Sequence, residues 1–187
     1  TLEAAERVCD AARKPNEDST LYAAVIEGLA TLLNHSLLQE EIDAEGEPRF
    51  ALLEVIREYA LDRLNEAGEA EAIRHNHAAY YLALVEAAAP ELTHARQSLW
   101  LDRLEREHAN IRAALAWSLD AGNVEIGARL CGELWRFWAV RGYLSEGQSW
   151  FARALDHRLR LPVPLQIKVF DGAAKLANEQ GDFERSV

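Results

Sequence analysis

Apolar residues recur every three or four positions along most of the chain, the spacing that places them on one face of an α-helix. In the first third, this period predicts helices over about 2–12, 20–34 and 53–64. Two short apolar segments, at 36–39 and 49–52, flank a polar loop that contains a glycine. That pattern is typical of a β-hairpin, so we expect the order helix, helix, hairpin, helix.

After Gly68 the strand pattern disappears and one helical segment follows another. Turns centred on Gly122, Gly142 and Gly181 separate these segments, and glycine suits such turns because it adopts positive φ at a helix end. Gly181-Asp182-Phe183 is similar to the turn of a tetratricopeptide repeat (TPR), although 39 residues, rather than about 34, separate Gly142 from Gly181. We predict antiparallel helical hairpins with helices over about 69–89, 97–107, 109–121, 124–141, 144–158, 163–180 and from 183 onward.

The charge is distributed unevenly along the chain. The whole sequence has 20 Lys and Arg against 31 Asp and Glu, a net charge of −11. Residues 1–68 hold 15 acids and 6 bases, net −9, whereas residues 69–187 hold 16 acids and 14 bases, net −2. This change in charge and the glycine expected after a helix end at Gly68 predict one domain over 1–68 and a second over 69–187.

Composition limits the class of protein further. Hydrophobic residues make up 49% of the chain, enough to fill a core, and the longest apolar segment, 78–85, is far shorter than a membrane span. Two cysteines, Cys9 and Cys131, are too few for a disulfide framework and are expected to be free thiols. We expect a soluble, cytoplasmic protein with no membrane contact and, since the sequence has no methionine, a fragment of a longer chain.

Several segments resemble the bacterial STAND-class ATPase regulators. Residues 29–38 (LATLLNHSLL) and 49–60 (RFALLEVIREYA) are similar to the end of the winged helix in the nucleotide-binding module of that class. Residues 77–82 (HAAYYL), 100–115 (WLDRLEREHANIRAAL) and 134–138 (LWRFW) are similar to the helical segment that follows. The resemblance implies a mainly α fold: a partial winged helix with a small β-hairpin, then a TPR-like α-solenoid of antiparallel helical hairpins.

The resemblance also implies that the parent protein binds ATP or ADP on an ATPase core. This chain lacks the Gly-x-x-x-x-Gly-Lys-Ser/Thr loop that surrounds phosphates, so we expect no cofactor in the fragment. Where related nucleotide switches place a Met-His-Asp sensor, this chain has Leu52, Leu53 and Glu54. Either this branch senses nucleotide differently or Glu54 orients neighbours such as Arg57; we favour Leu53 as a core residue and Glu54 as a surface carboxylate.

A winged helix also raises the question of DNA binding. The helix over 20–34, which takes the position of a recognition helix, contains Glu27 and no Lys or Arg, and its domain has a net charge of −9. Recognition helices normally present Arg, Lys, Asn or Gln to base edges and phosphates. The sequence therefore predicts no direct contact between this fragment and nucleic acid.

Two Glu-x-x-His motifs, Glu91 with His94 and Glu105 with His108, have the residue types of a di-iron centre. They lie only 14 residues apart, and the two further inward glutamates that such a centre needs are not evident. We favour solvated helix faces and predict no metal site, no catalytic residue and no enzyme activity.

Aromatic residues between 135 and 151 form the densest apolar cluster of the chain. We favour packing between consecutive helical hairpins, because stacked repeats bury a continuous core. The alternative is a groove in which Arg136 or Arg141 meets an acidic peptide or a small effector beside an aromatic wall. The candidates for partner binding are Trp135, Arg136, Trp138, Arg141, Tyr143 and Trp150.

These observations predict a non-catalytic regulatory and protein-interaction segment of a STAND-type ATPase signalling protein or transcriptional regulator. The repeats would sense a protein, peptide or small-molecule effector, and the winged helix would couple that signal to an ATPase core outside the fragment. The alternative is a stand-alone TPR-like scaffold that binds peptides and has no link to nucleotide.

Overall fold

The computed structural model describes residues 1–10, 21–42, 46–120 and 123–181. They form a mainly helical fold with one small antiparallel sheet, so the predicted fold class is confirmed. The predicted helix from 183 onward and the turn at Gly122 lie outside the described residues. The helices are α1 (Leu2–Asp10), α2 (Leu21–Asn34), α3 (Glu54–Glu66), α4 (Ala70–Glu91), α5 (Gln97–Arg106), α6 (His108–Asp120), α7 (Val124–Arg141), α8 (Leu144–Asp156) and α9 (Val163–Glu179); the strands are β1 (Leu38–Ile42) and β2 (Pro48–Leu52).

The chain divides into two compact units, Thr1–Tyr80 and Tyr81–Val187. The division falls within α4, twelve residues beyond the predicted boundary at Gly68. Gly68 itself lies in the turn between α3 and α4, where its φ of +73° favours glycine. The first half of α4 therefore belongs to the unit that precedes it, and the assignment of two domains over 1–68 and 69–187 stays a prediction.

In the first unit, α1 packs against α2 and β2, and α2 packs against β1. Thr1 begins α1 by accepting a hydrogen bond on Oγ1 from the backbone N–H of Ala4 at 3.3 Å, as helix-capping threonines do. From α4, the side-chain amide of Asn76 donates to the carbonyl oxygen of Val8 at 3.2 Å. This contact joins the beginning of α4 to α1.

The β-hairpin pairs Leu38 with Leu52 and Ile42 with Pro48. Its first strand begins two residues later than predicted and extends through Glu40 and Glu41. Only Leu38 among the residues of this strand is buried. A two-stranded sheet leaves most side chains in water, so the strand lacks the apolar alternation by which sequence patterns identify strands. The hairpin was predicted correctly, but the bounds of its first strand were not.

The second unit contains the large core. The helices α7, α8 and α9 pack against one another, and α6 packs against α7. Gly132 of α7 lies beside Lys168 of α9, and Trp135, further along α7, lies beside Lys175, further along α9. These two helices therefore run parallel. Helix α8, which lies between them in sequence, runs antiparallel to both. The residues with 1% exposure or less include Val85, Leu104, Leu115, Leu130, Leu134, Phe137, Trp138, Val169 and Leu176.

Two glycines explain how these helices connect and approach. Gly142 ends α7 with φ of +79°, and its backbone N–H donates to the carbonyl of Trp138. Gly147, inside α8, lets Trp138 and Leu176 pack directly on the helix backbone, since a Cβ there would lie 2.7 Å from Trp138 and 2.6 Å from Leu176. The predicted α7–α8 helical hairpin therefore forms around glycines at its turn and at its interface.

Candidate functional site

In the first unit, the surface of interest is α2 and the hairpin that follows it. The exposed side of α2 has small and polar residues near its C-terminus: Thr31 donates its hydroxyl to the Glu27 carbonyl at 2.7 Å, and His35 Nδ1 lies 2.8 Å from the Thr31 carbonyl. Asn34, the last residue of α2, is exposed. The end of α2 and His35 directly after it therefore present amide, hydroxyl and imidazole groups to solvent, and the helix contains one acidic residue, Glu27, and no Lys or Arg.

The two residues at the predicted nucleotide-sensor position lie at the start of α3. Leu53 directly precedes the helix and is 47% exposed, so the expectation that it is a core residue is wrong. Glu54 is a surface carboxylate, as favoured, and it accepts a hydrogen bond from Arg57 Nε at 3.1 Å. This hydrogen bond and the charge of Arg57 hold the Glu54 pKa below its usual value. Whether either residue approaches nucleotide stays a prediction.

In the second unit, the predicted aromatic cluster separates into three environments. The first is the core: Phe137 and Trp138 have no exposed surface, and Phe151 is 2% exposed. The Trp138 and Phe151 rings meet edge to face with centroids 5.7 Å apart, a favourable aromatic arrangement. Trp138, a predicted partner-binding residue, is therefore inaccessible to a partner in this fold and packs the helices together, as the favoured interpretation expects.

The second environment is a polar network centred on Glu146 of α8. Glu146 accepts hydrogen bonds from Arg112 Nε at 2.8 Å and from Trp150 Nε1 at 3.2 Å, and His108 Nε2 lies 3.0 Å from the same carboxylate. His108 is only 6% exposed and also packs edge to face on Phe137, with ring centroids 5.2 Å apart. The network joins the start of α6 to the start of α8.

Opposing effects determine the Glu146 pKa. Burial, the largest single effect, raises it, while hydrogen bonds from Arg112 and Trp150 and the charges of His108 and Arg112 lower it. The lowering effects prevail, so the pKa of Glu146 lies below its ordinary value. Its carboxylate is consequently ionised at neutral pH and anchors the arginine.

The same network extends to α5 and the end of α7. Arg141 binds Asp102, and its Nε lies 3.6 Å from Glu105 Oε2. Tyr143 donates its hydroxyl to Glu105, and this hydrogen bond raises the tyrosine pKa. Three predicted partner-binding residues, Arg141, Tyr143 and Trp150, therefore already have carboxylate partners within the chain.

The third environment is exposed. Trp135 is half-buried on α7, with the Arg136 guanidinium 4.7 Å from its ring centroid and Lys175 Nζ of α9 5.1 Å from the same centroid. Lys175 also binds Asp171 at 2.6 Å. Of the six predicted partner-binding residues, Trp135 and Arg136 are the pair that the fold leaves together on an open surface.

An apolar cleft of about 320 Å³ lies between α8 and α9. It is lined by Phe151, Ala152, Leu155, Ala173 and Ala177, with Gln148 as its polar member. The cleft contains no titratable side chain and is suited to hold apolar groups.

The two Glu-x-x-His motifs have separate environments. His94 Nδ1 lies 2.6 Å from the Pro90 carbonyl on the surface, whereas His108 belongs to the network of Glu146. Among the residues that the structure describes, no three His, Cys, Asp or Glu side chains are grouped to hold a metal ion. Metal binding and enzyme activity are not tested by this finding, and their absence stays a prediction.

Sequence reasoning did not identify Glu146, Arg112 or Lys175 as members of these sites. Each is charged and lies on a helix whose pattern is ordinary, and its partner is 32 or more residues away in sequence: 34 between Arg112 and Glu146, 40 between Trp135 and Lys175. The signal in the sequence is the adjacent aromatic and basic pair at 135–136, from which both residues were predicted as partner-binding candidates.

Comparison with known proteins identifies the first unit. Residues 4–65 match the family model of the winged helix-turn-helix domain. Relatives from two strains of Mycobacterium tuberculosis and from Mycobacterium bovis, whose names describe HTH-type transcriptional regulators, are each 34% identical over 158 residues. The match covers 82% of this chain but 18% of each relative, so the chain spans less than a fifth of their length. No solved structure matches the chain.

The winged helix-turn-helix match overturns the prediction that this fragment makes no direct contact with nucleic acid. That prediction used the absence of Lys and Arg from the helix over 20–34 together with the net charge of its domain. A helix-turn-helix reads DNA through a few side chains of one helix, so a domain's total charge does not decide whether that helix enters a groove. As for membranes, none of the described helices is both long and apolar enough to span one.

Proposed function

We propose that this chain is a regulatory segment of a transcriptional regulator, in which the winged helix-turn-helix contacts DNA and the helical segment after it binds a partner. The observation that carries the proposal is the agreement between the family match at 4–65 and the order α1, α2, hairpin, α3. The similarity to transcriptional regulators continues into the helices beyond that domain, over 82% of the chain.

DNA contact would rest on α2 and the hairpin, since a recognition helix precedes the wing in this arrangement. Asn34 on α2 is exposed and is of the type that forms paired hydrogen bonds with adenine in the major groove. Basic groups are few, because Arg57 and Arg63 already bind Glu54 and Glu66. We therefore expect affinity that depends on base contacts more than on phosphate contacts.

Selection of duplexes from a random pool by the 187-residue chain tests this part of the proposal. We expect an enriched sequence, and Asn34→Ala should bind it about tenfold more weakly, the loss expected for one base contact. Asn178→Ala is a matched control, since Asn178 is also an exposed residue near a helix end but lies on α9 of the second unit. Recovery of only unrelated sequences by the chain would reject DNA reading by this domain.

The link to a STAND-type ATPase forms the finer part of the proposal. ATP or ADP would bind a core elsewhere in the parent protein, and the winged helix would transmit its state. The exposed apolar residues of α3 support such packing: Val55 is 73% exposed and Tyr59 is 61% exposed, although α3 buries no residue of its own within the unit. A segment of this kind would be non-catalytic and would act in the cytoplasm.

Hydrogen exchange of the parent protein with ADP and with a non-hydrolysable ATP analogue tests that link. We expect protection of α3 to differ between the two nucleotides, while α7 retains the same protection. Equal protection of α3 in both states, in a parent protein shown to bind the nucleotides, would reject coupling through the winged helix.

Partner recognition by the helices of the second unit completes the proposal. The parallel helices α7 and α9 present one continuous face, on which Trp135, Arg136 and Lys175 lie together. A stand-alone TPR-like scaffold is the competing candidate, and the winged helix-turn-helix in the same chain favours the regulator.

A further inference from the structure

Two tryptophans of the second unit each lie beside an arginine. The Arg153 guanidinium lies 4.6 Å from the Trp150 ring centroid, and the Arg136 guanidinium lies 4.7 Å from the Trp135 ring centroid. Both distances are typical of cation–π contacts. The two pairs have nearly equal distances, so a difference between their other partners is informative.

The first pair is satisfied within the chain. Trp150 Nε1 donates to Glu146 at 3.2 Å, and Arg153 donates to Asp120 at 2.6 Å. Each donor group of this pair therefore has a carboxylate from the protein itself, and the pair is structural.

The second pair lacks such partners. Within the described part of the chain, Arg136 has its cation–π contact but no carboxylate partner, and the Trp135 indole N–H donates to no protein acceptor. The Trp135 Nε1 atom is also absent from the buried unpaired atoms of this part, so it reaches solvent. Lys175 approaches the same ring from α9 and binds the carboxylate of Asp171 on its own helix.

We propose that Trp135, Arg136 and Lys175 form a binding site for a carboxylate side chain in an acidic peptide segment of a partner protein. The proposal rests on the partner-binding role given above to the second unit and specifies the chemistry of that partner. A guanidinium binds carboxylate through two parallel hydrogen bonds, and the indole N–H and the ammonium supply further donors at the same ring.

The charge of the unit is compatible with an acidic ligand. Residues 81–187 have 14 acids and 13 bases, net −1, whereas residues 1–80 have 17 acids and 7 bases, net −10. The second unit therefore repels an acidic peptide little. Two carboxylates also lie on this face: Asp171 binds Lys175, and Glu133 binds Lys168. Their negative charge repels a polyanion such as nucleic acid more strongly than it repels a single carboxylate.

Apolar residues flank the proposed site. Val140 lies one helical turn after Arg136 on α7 and is 50% exposed, and Ile167 lies two turns before Lys175 on α9 and is 63% exposed. Both are exposed large apolar residues without an evident reason in the fold. They fit a peptide in which acidic residues alternate with leucine or another apolar residue.

Calorimetric titration of the 187-residue chain with a peptide of alternating glutamate and leucine tests the proposal, with tryptophan fluorescence as a second readout. We expect saturable binding, and Arg136→Gln should weaken it about tenfold or more, since a hydrogen-bonded charge pair is lost. Asp171→Asn should strengthen it several-fold because Lys175 then lacks its internal carboxylate. Arg153→Gln is the matched control and should bind as the wild type does.

The same titration with a glutamine–leucine peptide and with inorganic phosphate separates the ligand classes. Binding of the glutamine peptide, phosphate affinity equal to that of the glutamate peptide, or an unchanged affinity in a folded Arg136→Gln variant would each overturn the proposal. DNA selection with the same preparation distinguishes the two proposals: loss of peptide binding with intact DNA selection rejects the carboxylate site alone.

Discussion

Replacing Gly147 with alanine tests the packing of the second unit most sharply. Gly147 lies within α8, where the new Cβ would be 2.6 Å from Leu176 Cδ2 and 2.7 and 2.9 Å from two ring atoms of Trp138. Both neighbours have no exposed surface. The indole is rigid and enclosed, so it has little room to move away from the added methyl group.

Two opposing effects determine the size of the change. Alanine favours a helix over glycine by about 1 kcal/mol. Overpacking of a well-filled core costs about 1–3 kcal/mol, and contacts this short with a rigid ring place Gly147→Ala in the upper half of that range. We therefore expect the free energy of unfolding of the second unit to fall by about 1–2 kcal/mol.

Urea unfolding followed by tryptophan fluorescence measures this change. All five tryptophans, at positions 100, 117, 135, 138 and 150, belong to the second unit, so the signal reports that unit alone. For a loss of this size the midpoint should fall by about 0.5–1 M at an unchanged slope.

Gly28→Ala is the control for helix propensity without crowding. Gly28 lies within α2, and no heavy atom lies within 4 Å of a Cβ built there. This variant should gain about 0.5–1 kcal/mol in the first unit, measured by far-ultraviolet circular dichroism because that unit has no tryptophan. Wild-type or higher stability of Gly147→Ala would refute the close packing of α8 on Trp138.

Three further predictions concern turns, ionisation and thiols. Gly142→Ala should cost about 1 kcal/mol in the same urea assay because residue 142 has a φ of +79°, and an unchanged midpoint would contradict the left-handed helix end. The depressed pKa of Glu146 adds stability that is present above the ordinary glutamate pKa and is lost as the pH falls through the folded value. The stability difference between wild type and Glu146→Gln should therefore shrink as the pH falls from 5 to 3; a constant difference would contradict the network. Burial raises the pKa of Cys131 more than that of half-buried Cys9, so a thiol reagent should modify Cys9 first and Cys131 only on unfolding, with Cys9→Ser assigning the two phases.

Much of the fold follows from local patterns. The helices of the second unit begin and end within a few residues of their predicted limits, because they bury apolar side chains and three of them, α6, α7 and α9, end within two residues of a glycine. The hairpin was placed less accurately, because Glu40 and Glu41 are exposed strand residues whose pairing depends on β2 rather than on their own sequence. The compact units divide at Tyr80 within α4, where the helical pattern is uninterrupted and gives no sign of a division.

The candidate sites show where sequence patterns stop being sufficient. Trp135 and Trp138 are both aromatic residues on α7, yet Trp135 is half-buried and Trp138 has no exposed surface, because Trp138 packs on Gly147 and Phe151 of α8 whereas Trp135 lies beside Lys175 of α9. His108 and Glu146 are polar residues that fold together across 38 positions. Helix packing determines which charged residues are exposed and which bind partners within the chain. The pattern of residues in a single sequence does not distinguish the two groups.

The proposed DNA contact also corrects an inference from charge. Net charge of −9 over 1–68 limits how many phosphates the domain neutralises, while the match of residues 4–65 to the winged helix-turn-helix model supports the proposal that the domain contacts DNA. The two statements together predict an unusual binding mode: selective for sequence and weakly dependent on salt.

Salt dependence of the affinity for a selected duplex tests that central claim most directly. Each neutralised phosphate contributes about −0.9 to the slope of log affinity against log salt concentration. Because residues 1–80 hold only 7 Lys and Arg against 17 Asp and Glu, we predict sequence-selective binding by the 187-residue chain with a slope of about −2 to −3, that of two or three neutralised phosphates. Absence of selective binding even at low salt would contradict a DNA-reading role for this winged helix-turn-helix.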